Sequence, residues 1–177
     1  MSAAPTLRPE STEYNEYFDR YISLVPQGDV ILNLERQLNE TLATLLSISE
    51  ADANSSYAPG KWSLKEVVGH ILDSERVFGY RALAFARNDA ANLPGFEQDD
   101  YVSNGSFNSV AIKDLALEFE HVRRANILFF RHLAPEAWQR TGVANNNPVS
   151  VRAIAYIIAG HELHHLSIIK TRYLKKD

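Results

Sequence analysis

The sequence predicts an all-α four-helix bundle with one long ordered loop between the second and third long helices. Three observations predict it. Apolar residues recur in four separate runs at the three-and-four spacing of a core-facing helix stripe. Alternating strand patterns are nearly absent, and the segments between the runs are rich in Gly, Pro, Asn and Ser.

A chain of 177 residues with 45% hydrophobic content suffices for one well-buried domain, and composition shows no break. Residues 1–10, with Pro5 and Pro9, read as a mobile lead-in, and residues 11–177 as a single domain. A net charge of −4, with acids and bases interspersed, gives no basic face for phosphate backbones, so no nucleic-acid partner is expected. Glu10 and Glu13 fall where a signal peptide would be apolar, and no apolar run reaches membrane-spanning length. The expectation is a cytoplasmic protein with no membrane partner. The absence of cysteine excludes disulfides, thiolate metal sites and a cysteine nucleophile. Any metal must be held by His, Asp or Glu.

From Ser11 the spacing of Tyr14, Tyr17, Phe18, Tyr21 and Ile22 is helical and stops near Pro26-Gln27-Gly28. Asp29 then caps a run carrying Ile31, Leu34, Leu38, Leu42, Leu45 and Leu46; the two segments are one kinked helix or two. Residues 51–60 read as a loop. Ser63 and Glu66, three apart, form a capping box for a helix that carries Leu64, Val67, Val68, Ile71, Leu72, Val77 and Phe78 to about Arg87. His70 lies inside it, on the side of Val67, Ser74 and Val77.

The stretch 88–109 is rich in Asn, Asp, Gly and Pro, and residues 93–101 within it show no helical period. A connection of this length is disordered or functional, and Phe96 and Tyr101 favour an ordered loop lying over something. A third long helix is expected over residues 110–133, and a short helical turn with proline at its first position at Pro135. Residues 141–148 read as a loop, and Ser150 caps a final helix reaching about Tyr173.

The chemistry concentrates in Gly160-His161-Glu162-Leu163-His164-His165. His161 and His165 are one turn apart, and Ile154, Ile157, Ile158 and Ile168 fall within roughly 60° of them at about 100° per residue, so the pair faces the core. One helix supplies only two of the ligands a metal needs; the inward-facing His70 is the third candidate. A lone buried histidine is more often a hydrogen-bonded core residue. Three together leave several donors and acceptors to be satisfied separately, which favours a shared ion. The same residues also spell H-E-x-x-H, a zinc-protease motif. That reading needs an upstream ligand and an active-site sheet, whereas strand signals are nearly absent and none of the twelve residues after His165 is His or Glu. His164 is turned off the pair's axis and reads as a flanking residue, with a subunit contact as one place for it. His121, among Glu120, Arg123 and Arg124, reads as part of a solvated face, and His132 as a cation at a helix end.

At this point the sequence resembles the DinB/YfiT-like family. The resemblance rests on Gly60-Lys61-Trp62-Ser63-Leu64-Lys65-Glu66-Val67-Val68-Gly69-His70-Ile71-Leu72-Asp73-Ser74-Glu75 and on Ala159-Gly160-His161-Glu162-Leu163-His164-His165. Leu93-Pro94-Gly95-Phe96, Trp138 with Arg140, and Ser150-Val151-Arg152 add to it, and it covers the chain from about residue 14. It implies a four-helix bundle holding one divalent metal ion, zinc or nickel, on His70, His161 and His165. It also implies a homodimer. Members of that family with assigned activity are transferases using low-molecular-weight thiols, such as bacillithiol S-transferases and mycothiol-dependent maleylpyruvate isomerase; others carry names proposing metal-dependent hydrolysis. The resemblance thus implies a small-molecule thiol and an electrophilic substrate as partners.

Three neutral imidazoles leave coordination positions open, and a metal there activates a bound thiol or a bound water. Asp73, one turn on from His70, and Glu162 and Glu75 are candidates to orient an imidazole or accept a proton; the plainer reading of each is a solvated helix carboxylate. Arg81 lies on the His70 side of its helix, near where the Phe96 loop can fold over, and is a candidate to hold a substrate carboxylate or else to pair with a surface acid. A non-catalytic metal-binding bundle is the competing class. An enzyme requires an open, polar-lined cleft beside the metal, and a structural site a fourth protein ligand.

Overall fold

The computed structural model describes residues 8–174, so residues 1–7 of the expected lead-in lie outside the described residues. Residues 8–10 are docked: Pro9 is buried, and Arg8 donates to the Val25 carbonyl at 2.6 Å. The first apolar run does not form one helix. It folds as two 3₁₀ turns, Ser11–Glu13 and Glu16–Phe18, and a single α-turn, α1 (Asp19–Ile22).

Next come α2 (Val30–Leu46), capped by the Asp29 carboxylate, a short α3 (Glu50–Ala53), and α4 (Leu64–Ala86), which opens with the Ser63/Glu66 capping box. β1 (Asn92–Leu93) and α5 (Gln98–Asn104) occupy the expected loop. α5 is a departure from the sequence reading. Its one buried residue is Val102, so it has no apolar stripe to announce it. α6 (Ile112–Arg131) follows, then a 3₁₀ turn with Pro135 in its first turn (Pro135–Gln139).

The expected loop at 141–148 is instead a hairpin of β2 (Thr141–Ala144) and β3 (Asn147–Ser150). Its two-residue turn is Asn145-Asn146, both left-handed at φ of 50° and 59° as such hairpins require. β1 pairs in parallel with β2, with Leu93 opposite Ala144. α7 (Val151–Ile168), capped by Ser150, ends in a π-helical turn, Ile169–Tyr173.

The four long helices are α2, α4, α6 and α7. α2 and α4 each pack on both α6 and α7, so these two consecutive helices sit diagonally across the bundle. The segment between them therefore has to cross the end of the bundle, which explains its length. The core is mainly apolar, with a buried ionic cluster that joins the long helices. There Arg123 of α6, fully buried, is held by both oxygens of Glu75 from α4 and by Glu162 from α7. Thr41 of α2 donates to the other Glu162 oxygen at 2.6 Å, and Asn126 donates to Glu75 at 3.2 Å. All four long helices are tied at this point. The placement corrects the reading of Arg123 as part of a solvated face. Its neighbours explain the error: His121 and Arg124 are exposed, and a single inward cation is invisible among them.

α1 lies against α7 at Gly160. A Cβ at that position would stand 2.1 Å from the Tyr21 carbonyl oxygen. The absence of a side chain at Gly160 thus lets α1 wall the face from which His161 projects.

Candidate metal centre

α4 and α7 pack side by side, and each turns its histidines into the seam. His161 Nε2 stands 3.1 Å from His70 Nε2 and 3.2 Å from His165 Nε2, and the three ligand atoms all lie within 4.8 Å of one another. Nitrogens bound about 2.0–2.1 Å from one tetrahedral zinc are separated by roughly 3.3 Å, so the two separations from His161 are close to those a shared ion imposes. An imine nitrogen has one in-plane lone pair, so His161 Nε2 cannot accept well from both neighbours at once. A cation between the rings takes one lone pair from each.

Burial keeps those lone pairs free. It lowers the pKa of His70 to about 4 and that of His165 to about 3, and holds His161 well below its usual value, with the neighbouring histidines adding to the effect on His161 and His165. Neutral imidazole is the metal-binding form. Aromatic rings fix the imidazole planes: Trp62 packs on His70 at 5.1 Å between ring centres, and Tyr21 meets His161 edge-on at 5.2 Å. Tyr173 donates to the Trp62 carbonyl at 2.6 Å, bringing the chain end onto the same structure.

A cavity of about 430 Å³ opens beside His70 and His161. The family model of the DinB superfamily matches residues 33–169, which include all three histidines. The chain belongs to the DinB superfamily. Two proteins of Oceanobacillus iheyensis, both named as proposed metal-dependent hydrolases, are each 23% identical to it. One alignment covers 77% of this chain and 79% of the relative, the other 76% and 78%. Among solved structures, YfiT from Bacillus subtilis, described as a probable metal-dependent hydrolase with an unusual four-helix bundle topology, is similar with a TM-score of 0.66. That match covers 93% of this chain and 90% of YfiT at 14% identity, so the two share a fold.

In this DinB chain the other site candidates divide. Glu162 is one residue from His161 but points the other way, into the Arg123 cluster. Burial pushes its carboxyl above the usual range, against the pull of Arg123. Asp73 is half-buried and approaches Arg76 at 3.8 Å; burial raises its carboxyl too. Neither is among the residues that line the cavity or bonds a site histidine, so neither orients an imidazole here, and neither is a freely solvated carboxylate. Glu75, the third carboxylate considered, is likewise taken by Arg123. Adjacency in sequence misleads because successive helix residues are about 100° apart.

Arg81 and Phe96 do line the cavity. Arg81 Nη2 donates to the Pro94 carbonyl at 2.7 Å, pinning the loop over the histidines, and Phe96 packs on Tyr101 at 5.2 Å between ring centres. The sequence reading missed Ser74, Asn15 and Asn147 as cavity residues. Asn15 donates to Asn147 at 2.9 Å across the wall. Ser74 was detectable, lying one turn from His70 on the same side. Asn15 and Asn147 reach the site by folds of the chain that no local pattern announces. His164 is partly buried and meets Tyr21 edge-on at 5.4 Å, outside the cluster.

Proposed function

We propose that this chain is a divalent-metal-dependent enzyme, with His70, His161 and His165 as the metal ligands and the adjoining cavity as the substrate site. The observation that carries the reading is the convergence of three Nε2 atoms on one point, with two of the three histidines, His70 and His161, lining the adjoining cavity. Among the described residues no fourth His, Asp or Glu joins the cluster, which is the pattern of a catalytic rather than a structural site. Imidazole ligands suit zinc, nickel, iron and copper alike, and zinc and nickel are the two ions to test first.

A divalent ion held by His70, His161 and His165 would lower the pKa of a nucleophile and polarise an acyl oxygen. The protein's own residues do the rest. Tyr21 and Trp62 pack on two of the rings, the Phe96 loop forms part of the cavity wall, and Arg81 ties that loop to α4. Hydrolysis is the reading that agrees with the names of the Oceanobacillus relatives.

A specific observation favours a second reading, transfer of a small thiol to an electrophile. Asp73, Glu75 and Glu162, the acids nearest the histidines in sequence, do not line the cavity, and the two acids that do, Glu97 and Asp99, are exposed. A thiol coordinated to a metal is deprotonated without a general base, whereas attack by water gains more from one. One assay separates the two. Metal-loaded protein is given aryl esters and amides in water, and in parallel small thiols with a chlorodinitrobenzene acceptor. Turnover in either arm, abolished by chelation and restored by zinc or nickel, is expected. Loaded protein inert in both arms would argue for a metal-binding bundle without catalysis.

A further inference from the structure

The cavity beside the histidines contains a buried cation that forms no ion pair among the described residues. Among the described residues three basic side chains are buried: Lys65, Arg81 and Arg123. Lys65 pairs with Glu50 at 2.8 Å, and Arg123 lies between Glu75 and Glu162. Arg81, 7% exposed, forms no ion pair among the described residues; its hydrogen-bond partner is the neutral Pro94 carbonyl. A buried charge is unfavourable unless paired, so a guanidinium left this way at a cavity wall is poised for an anion from outside.

A second orphan lies on the same wall. Ser74 is 1% exposed and its Oγ has no hydrogen-bond partner. His70, Ser74, Phe78 and Arg81 follow one another at intervals of four, four and three along α4, a single stripe facing the cavity. Ser74 thus falls between the histidines and Arg81. Phe78 supplies an apolar floor, its ring centre 5.5 Å from Arg81 Cζ and 6.4 Å from the His161 ring centre. Glu97 and Asp99 line the rim but are exposed, and they oppose a second negative charge.

We propose that the cavity binds a small monoanionic acid carrying an amide or ester, with its carboxylate on Arg81, its apolar body on Phe78, and its amide or ester, on the side toward the histidines, hydrogen-bonded to Ser74. This deepens the reading above, on which it rests for one point only: that the amide or ester end lies toward a catalytic centre.

The test uses metal-free protein, so that a carboxylate cannot bind an ion instead. Binding of N-acetyl-4-fluorophenylalanine and of its carboxamide, which lacks the charge, is followed by fluorine NMR. The acid is expected to bind at least tenfold more tightly than the carboxamide. Arg81→Met should erase that preference, Arg81→Lys should keep part of it, and Ser74→Ala should weaken both ligands severalfold while leaving the preference intact. No binding, or equal affinity of acid and carboxamide for the wild-type protein, overturns the proposal, and that arm needs no variant to fold. A preference that survives in folded Arg81→Met overturns it as well. Metal uptake is measured separately: protein that selects the acid but takes up no metal would sink the enzymatic reading and leave the anion subsite standing.

Discussion

His161 is the residue on which the site turns, because its Nε2 is the one that both other imidazoles approach. Substituting His70, His161 or His165 singly by alanine leaves two ligands, and a loss of metal affinity of at least about 100-fold is expected in equilibrium competition with a chromogenic chelator. Affinity unchanged in any one of them would remove that residue from the ligand set. Trp62 provides an optical reporter, since its ring packs on His70 whereas the other tryptophan, Trp138, is buried against Phe130. Titration with nickel should quench tryptophan fluorescence in the wild type and not in Trp62→Phe. The metal-free histidines also set a pH dependence. Their folded values lie below the ordinary histidine value of about 6.5, so stability is fully present above 6.5 and declines as the pH falls toward 4 for His70 and 3 for His165. In that window the unfolded chain binds protons that the folded chain does not. Urea denaturation of metal-free protein should lose up to about 1.4 kcal/mol per pH unit for each histidine involved, and equal stability at pH 7 and pH 5 would contradict it.

At the scale of the elements, two contacts hold the ligand-bearing helices in place. Gly160 lets α1 touch α7, and a methyl group there would collide with the Tyr21 carbonyl, which cannot rotate away as a side chain could. Gly160→Ala should therefore cost about 1–3 kcal/mol in chemical denaturation, and it should weaken metal binding because Tyr21 also packs on His161. Arg123→Met strands Glu75 and Glu162 in the core, and a loss of about 3–5 kcal/mol is expected. These elements also mark what could be read from sequence. The caps of α2, α4 and α7 were legible because Asp29, Ser63 with Glu66, and Ser150 act on backbone within three residues. The three histidines were legible because helical periodicity turned each toward the core. Arg123, β2–β3 and α5 were not. Arg123 is buried through partners dozens of residues away, the hairpin was hidden by reading Asn145-Asn146 as loop composition rather than as a left-handed turn, and α5 has too little buried surface to show a period.

For the molecule as a whole, the diagonal placement of α2 and α4 leaves α7 flanked by both, so the histidine seam between α4 and α7 is supported on one side by the Arg123 cluster and on the other by α1 and the Phe96 loop. The latter side opens to the cavity that Arg81 and Ser74 line. Among the described residues, no helix is long and apolar enough to cross a membrane. The central claim, one divalent ion shared by histidines of two helices, is tested most directly by the metal content of purified protein. Inductively coupled plasma mass spectrometry is applied to the wild type and to a His70→Ala, His161→Ala, His165→Ala triple variant, each after reconstitution with zinc or nickel and desalting. About one ion per chain in the wild type, absent from the folded triple variant, is the predicted result. A wild type that retains no metal, or a triple variant that retains as much as the wild type, would contradict the account.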